Sequence, residues 1–281
     1  MLAPYDSSLR FYASLWTLMD YTGGGERVEW PLDRKFAAIK ASGFEGYQWF
    51  ALPDVVKQGA DHGLAYLGCC QANSANYTEQ LAAFSDLNPR RVSVQLGDHT
   101  TLPDESARVW LAMLKQAEDL NLAIDLETHR GTCTETPEKT WLIADLVAQK
   151  TGRLINLNFD FSHFAVVRHL TPPYTERLIE RLDLLHASRQ IHMRPFNGHH
   201  CEIPMTDGND RLTDWAHHWL RFASDVLSIW HKANPNEYLW VCPEFGAVSS
   251  GYWISPFCDP WLDAQRCRHE LSQVLITRHS D

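Results

Sequence analysis

The sequence predicts an α/β fold, a single (β/α)8 barrel occupying residues 1–281 as one domain. Three observations predict it. Eight apolar or β-rich runs alternate with segments of helical period. Several of the runs are almost continuously apolar, as strands covered on both faces must be. No Gly/Ser linker, low-complexity tract or shift of composition divides the chain. Barrels of this kind run to roughly 250 residues or more as one domain, so 281 residues suit one. A composition 44% hydrophobic and 21% charged supplies the core such a domain needs.

In chain order, the strand runs are 10–18, 46–50, 64–70, 91–96, 122–127, 154–160, 190–194 and 239–244. Gly23-Gly24-Gly25 follows the first. It lacks the spacing and lysine of a phosphate loop and reads as a mobile first βα loop. Helical period appears in 32–42, 77–85, 106–121, 138–150, 174–185 and 212–232. In the third of these, Val109, Ala112, Met113 and Gln116 fall on one predicted face, behind Asp104-Glu105 at its start. Thr136-Pro137-Glu138 and Thr171-Pro172-Pro173 put proline at the opening of two others. Asn88-Pro89 and Asn234-Pro235-Asn236 are turns before strands.

Charge and composition exclude several functions. A formal charge of −10, with no basic run longer than Arg90-Arg91, argues against nucleic acid as partner. No apolar stretch reaches the roughly 18 residues of a membrane span. The first residues, with Asp6, Arg10 and Asp20, lack the layout of a secretory signal, so a cytoplasmic protein is expected. Seven scattered cysteines without a CxxC pair speak against a disulfide framework or a zinc ribbon. Nothing in the sequence fixes the oligomeric state, a homo-oligomer included.

In a barrel, the C-terminal ends of the strands face the active site. The fifth predicted strand ends in Glu127-Thr128-His129-Arg130-Gly131 and the sixth in Asp160-Phe161-Ser162-His163. The seventh carries His192-Met193-Arg194, and the eighth ends in Pro243-Glu244-Phe245-Gly246. Any one of these acids could simply cap the next helix. Four consecutive strands delivering a carboxylate or imidazole to one rim instead suggest an oxygen-rich site with one imidazole. Such a site suits Mn²⁺ first, then Mg²⁺ or Co²⁺, with Zn²⁺ an alternative. His186 is a rival to His192, but it falls within the preceding helical segment.

These stretches, with Gly43-Phe44-Glu45-Gly46, carry a resemblance. The chain resembles the xylose-isomerase-like TIM-barrel superfamily of sugar (phosphate) isomerases and epimerases, over residues 10 to about 270. The resemblance implies that Glu127, Asp160, His192 and Glu244 hold one divalent metal. It also implies that Glu127 and Glu244 exchange a proton with the sugar through a metal-stabilised enediolate. By the same resemblance His163 touches a substrate oxygen, with His129 and Arg194 as neighbours of its polar groups. Two positions depart from the ketose 3-epimerases. A second Glu six residues after the fifth-strand ligand is here Cys133, and an Arg six residues after the histidine is here Gly198.

Trp16, Trp49, Phe50, Phe164, Phe196, Tyr252 and Trp253 fall at or past strand ends, where a sugar could stack; Trp16, Trp49 and Phe196 join the expected substrate contacts. Trp110, Trp141, Trp215, Trp219 and Trp230 sit on helical segments and read as core. The loop 195–204, with His199, His200 and Glu202, reads as pocket wall or solvated loop, with a second metal site as the alternative. The expected activity is thus a metal-dependent sugar or keto-sugar isomerase/epimerase of carbohydrate metabolism with a small carbohydrate as partner. The alternatives are a lyase or hydrolase on keto-glycosides, a DNA-repair endonuclease of the same superfamily, and a non-catalytic sugar-binding barrel. No basic cluster marks a phosphate pocket, which favours a non-phosphorylated substrate.

Overall fold

The structure is a computed structural model that describes residues 8–23, 28–252 and 259–278. Eight parallel strands close a barrel in sequence order: β1 (Leu9–Ser14), β2 (Gly46–Trp49), β3 (Ala65–Ala72), β4 (Val92–Leu96), β5 (Ile124–Glu127), β6 (Leu157–Asp160), β7 (Gln190–His192) and β8 (Leu239–Cys242). Closure is made by β1 against β8, with Leu9 opposite Leu239 and Phe11 opposite Val241. All eight expected strands are present, most trimmed at one or both ends; residues 15–18 wind into a short 3-10 turn capped by Ser14. Of the glycine loop, Gly24 and Gly25 lie outside the described residues.

Side-chain alternation along each strand sorts the barrel into two surfaces. Phe11, Val92, Val94, Leu126, Phe159, Ile191 and Val241 point outward and are buried under the helices. Their alternates, among them Ser93, Asp125, Glu127, Asn158, Asp160, Gln190 and His192, are buried polar groups inside the barrel. The interior is thus largely polar, and every group in it needs a partner.

The covering helices are α1 (Leu32–Ala41), α2 (Pro53–Asp61), α3 (Tyr77–Ala82), α4 (Pro103–Asp119), α5 (Pro137–Thr151), α6 (Phe161–Val167), α7 (Thr175–Leu178), α8 (Leu182–Ala187), α9 (Asp214–Ala233) and α10 (Pro260–Arg278). Thr136 caps α5 by accepting from Lys139 N–H, and Gly152 ends it at φ 68°, a conformation glycine adopts without penalty. Buried Trp219, Phe222, Ala223, Val226, Leu227 and Trp230 follow one face of α9. In α4 the buried face runs through Val109, Trp110, Met113 and Ala117. That corrects the expected face, since the Gln116 amide turns out to bond Thr78 O. The expected helix 174–185 is two short helices. Trp110, Trp219 and Trp230 are core as expected and Trp141 packs against it, but Trp215 is 41% exposed. None of the described helices is long and apolar enough to cross a membrane.

Candidate active site

Glu127 ends β5, His192 ends β7, and Glu244 follows β8 by two residues, so all three side chains turn inward at the same rim. Each offers a ligand atom, and these atoms lie within 4.8 Å of one another. Among the described residues this is the group of His, Cys, Asp and Glu side chains able to hold a metal ion. His192 Nδ1 is 3.2 Å from Glu244 Oε2 and 3.7 Å from Glu127 Oε1. It is buried yet makes no aligned hydrogen bond. Two hard carboxylates and an imidazole nitrogen with no aligned bond fit a divalent ion of the Mn²⁺ or Mg²⁺ type. His186 lies on α8 and is not in this group, whereas His192 is.

Partners from neighbouring strands hold these side chains in place. Ser93 Oγ donates to Glu127 Oε2 at 2.8 Å and Gln95 Nε2 to Glu127 Oε1 at 3.2 Å. Both come from inward positions on β4. Asn158, inward on β6, lies 2.9 Å from His192 Nε2. Such outer partners orient the groups that bind or react. Burial alone would push the His192 imidazole down, but the adjacent Glu244 and Glu127 carboxylates hold it up at about 9. Burial would raise Glu244, but His192 and Arg194 beside it keep its carboxyl below the usual carboxylate range.

Asp160, the fourth expected ligand, is not in this group. Its Oδ1 caps α6 by accepting from Ser162 N–H at 3.0 Å. Its Oδ2 receives Arg194 Nη2 at 2.6 Å. Arg194 is itself buried and reaches on to Glu244, with Nη1 donating to Oε2 at 3.2 Å and to the backbone oxygen at 2.9 Å. The guanidinium therefore sits between two carboxylates that would otherwise repel, and it also lines the cavity above them.

That cavity, 410 Å³, is walled by Trp16, Trp49, Phe50 and Tyr252, and by Gln48, His129 and Arg194 over the two glutamates. Trp16, Trp49, His129 and Arg194 thus stand where substrate contact was expected. His163 does not line it. It is buried one layer behind, 3.4 Å from Asp160 and ring-to-ring with His129 at 4.4 Å. Burial first, then His129 and Arg194, push its imidazole well below its ordinary value. Phe196 is a correction: its ring is buried against Tyr174 and Phe222, in the packing outside the barrel. Phe164 is likewise buried in the core. Trp253 lies outside the described residues.

Several groups escaped the sequence reading. Ser93, Gln95 and Asn158 are spaced by two on their strands with the inward residues, which was the available signal. Gln48 is 3% exposed, lines the cavity and has an unpartnered Nε2. Cys69 also lines it, but burial and then Glu127 push its thiol far up, so it is no nucleophile.

The two departures from the 3-epimerase pattern are structural. Cys133 is fully buried, its N–H bonded to Leu96 O. At Gly198 an added Cβ would meet Leu170 O at 2.3 Å, so the backbone there admits no arginine.

No family model matches the chain, and no curated protein matches it. Solved structures do. An L-ribulose 3-epimerase superposes with a TM-score of 0.64 at 14% identity, over 97% of this chain and 96% of the other. A xylose isomerase-like TIM barrel protein from Mycobacterium smegmatis, in complex with magnesium, gives 0.60 at 14% identity, covering 95% and 97%. What the chain shares with them is the (β/α)8 barrel. A 3-keto-D-glucoside 4-epimerase from E. coli has the same barrel, with a TM-score of 0.55 at 12% identity over 95% and 99% of the two chains.

Proposed function

We propose that this barrel is a divalent-metal-dependent isomerase or epimerase of a sugar or keto-sugar. The observation that carries the reading is the convergence of Glu127, His192 and Glu244 beneath an aromatic-walled cavity. Glu127, His192 and Glu244 would hold the ion, with Asp160 joining if it leaves Arg194. When bound, the ion supplies Lewis-acid polarisation of the carbonyl and the neighbouring hydroxyl, which acidifies the C–H between them. Mn²⁺ is our first choice, and a neighbour of the same fold was solved with magnesium.

The chain's own groups do the rest. One glutamate accepts the proton from the carbon beside the carbonyl, and the other returns a proton on the opposite face or the adjacent atom. Ser93 and Gln95 hold the Glu127 carboxylate in one orientation through the transfer. Arg194 contributes a fixed positive charge beside the developing oxyanion. Trp16, Trp49 and Tyr252 offer flat faces to the ring and exclude water. The aromatic wall and the charge of −10 support a neutral carbohydrate and not nucleic acid as partner. The third and fourth strands end at Ala72 and Leu96. The histidine nearest those ends, His99, is exposed and stands outside the Glu127, His192 and Glu244 group, which does not favour the zinc cluster of a repair endonuclease. A cytoplasmic enzyme remains our expectation.

The test is incorporation of solvent deuterium into keto-sugars by the Mn²⁺-loaded protein, followed by NMR. Exchange beside the carbonyl and a new epimer or isomer are expected. Glu127→Gln and Glu244→Gln should each lower the rate by about 10²–10⁴-fold. Turnover that releases an aglycone, with no epimer, would replace this reading by a lyase.

A further inference from the structure

A second cavity of 610 Å³ opens beside the first, between α3 and the loop after β5. Phe50, Gln71, Gln95, His129 and Arg130 line both, so the two spaces adjoin along a shared wall. The outer cavity differs in chemistry. Beyond the shared residues it is lined by Asn73, Asn76 and Gln80, and no carboxylate faces it. Primary amides both donate and accept, the combination that neighbouring sugar hydroxyls require. Phe50 is 44% exposed at the junction, an apolar ring left in water between the two spaces. Arg130 is the one guanidinium there and lies over the Tyr252 ring at 4.5 Å, which is thin provision for a phosphate.

The outer space is also wired to the reacting group. Gln71 Nε2 donates to Gln95 Oε1 at 3.3 Å, and Gln95 Nε2 donates to Glu127 Oε1 at 3.2 Å. A hydroxyl that binds Gln71 therefore acts on the amide that orients Glu127.

Resting on the proposed function, we propose that the outer cavity is a second sugar subsite. The substrate is then a disaccharide or glycoside. Its keto-sugar ring lies over Glu127 and Glu244, and its second ring lies on Phe50 among the amides of β3, α3 and β4. A free monosaccharide fills the inner cavity alone.

The test compares 3-ketoglucose with 3-ketocellobiose in deuterium exchange, and D-glucose with cellobiose in calorimetric binding, on Mn²⁺-loaded protein. The two-ring compounds should be favoured by at least about tenfold in kcat/KM and in affinity, the yield of two or three added hydrogen bonds and a stacked ring. In Gln80→Trp, which fills the outer cavity from the surface of α3, that ratio should fall toward one, with an unchanged melting temperature showing that the fold is intact. Equal handling of one and two rings by the wild type would overturn the subsite while leaving the proposed reaction standing. So would a ratio that Gln80→Trp does not move, or stronger binding of glucose 6-phosphate than of cellobiose. If neither keto-sugar exchanges deuterium, the proposed reaction fails, and the calorimetric ratio alone decides the subsite.

Discussion

Asp160 and Glu244 show how one functional group, the carboxylate, takes different work at the same rim. Both stand at C-terminal strand ends, but Asp160 has Ser162 two residues on, whose N–H it caps, and Arg194 across from it. Sequence alone shows the carboxylate; it does not show which oxygens are already taken, because Arg194 arrives from another strand. Glu202 is a second such case. Its Oε2 accepts Gly246 N–H at 2.6 Å, pinning the loop after β7 to that after β8, and its Oε1 is buried without a partner. Burial, partly offset by Arg194 and that N–H, pushes its carboxyl up to about 7. An acid raised in the folded state stabilises while protonated. Its contribution is complete below the unfolded pKa of about 4.3 and is lost as pH rises through 7, a swing of order 3 kcal/mol. Glu202→Gln should therefore be more stable than wild type at pH 8 and no more stable at pH 4, read from urea unfolding at both. Parallel pH profiles would contradict it.

Among elements, the strands were the most legible, since eight apolar runs of the right length leave few alternatives. The helices were less so. α6 begins directly at Asp160, the last residue of β6, with no turn residue between to mark it. In α10 the buried Trp261, Ala264, Cys267, Leu271, Val274 and Leu275 keep helical spacing, but Ala and Cys are weak apolar markers and charged residues fill the gaps. The inward polar residues of β4 and β6 are marked in the sequence by strand parity alone, since Ser93, Gln95 and Asn158 do not end their strands. The loop after β7 supplies a test at this scale. Gly198 packs against the Leu170 backbone so closely that Gly198→Ala must displace one chain from the other. It should cost about 1–3 kcal/mol in chemical denaturation, the range for overpacking. An unchanged midpoint would show that the two loops part freely.

At the scale of the molecule, the barrel is tied across its interior by polar groups as well as by the ladder. Arg91, just before β4, pairs with fully buried Asp125 of β5, Gln190 of β7 donates to Asp125 at 2.6 Å, and Tyr12 of β1 donates to Gln190 at 3.3 Å. Arg91 and Gln190 thus bond directly to one carboxylate below the proposed site, and Tyr12 is tied to it through Gln190. Asp125→Ala should cost about 3–5 kcal/mol by leaving Arg91 facing an empty partner, with unfolding by urea as the measure. The floor this network provides is what lets Glu127, His192 and Glu244 meet at fixed positions above it.

That meeting is the central claim, and anomalous diffraction from crystals soaked in Mn²⁺ tests it most directly. One strong peak within coordination distance of Glu127, His192 and Glu244 is expected. A peak elsewhere, or none at these three side chains, would contradict it.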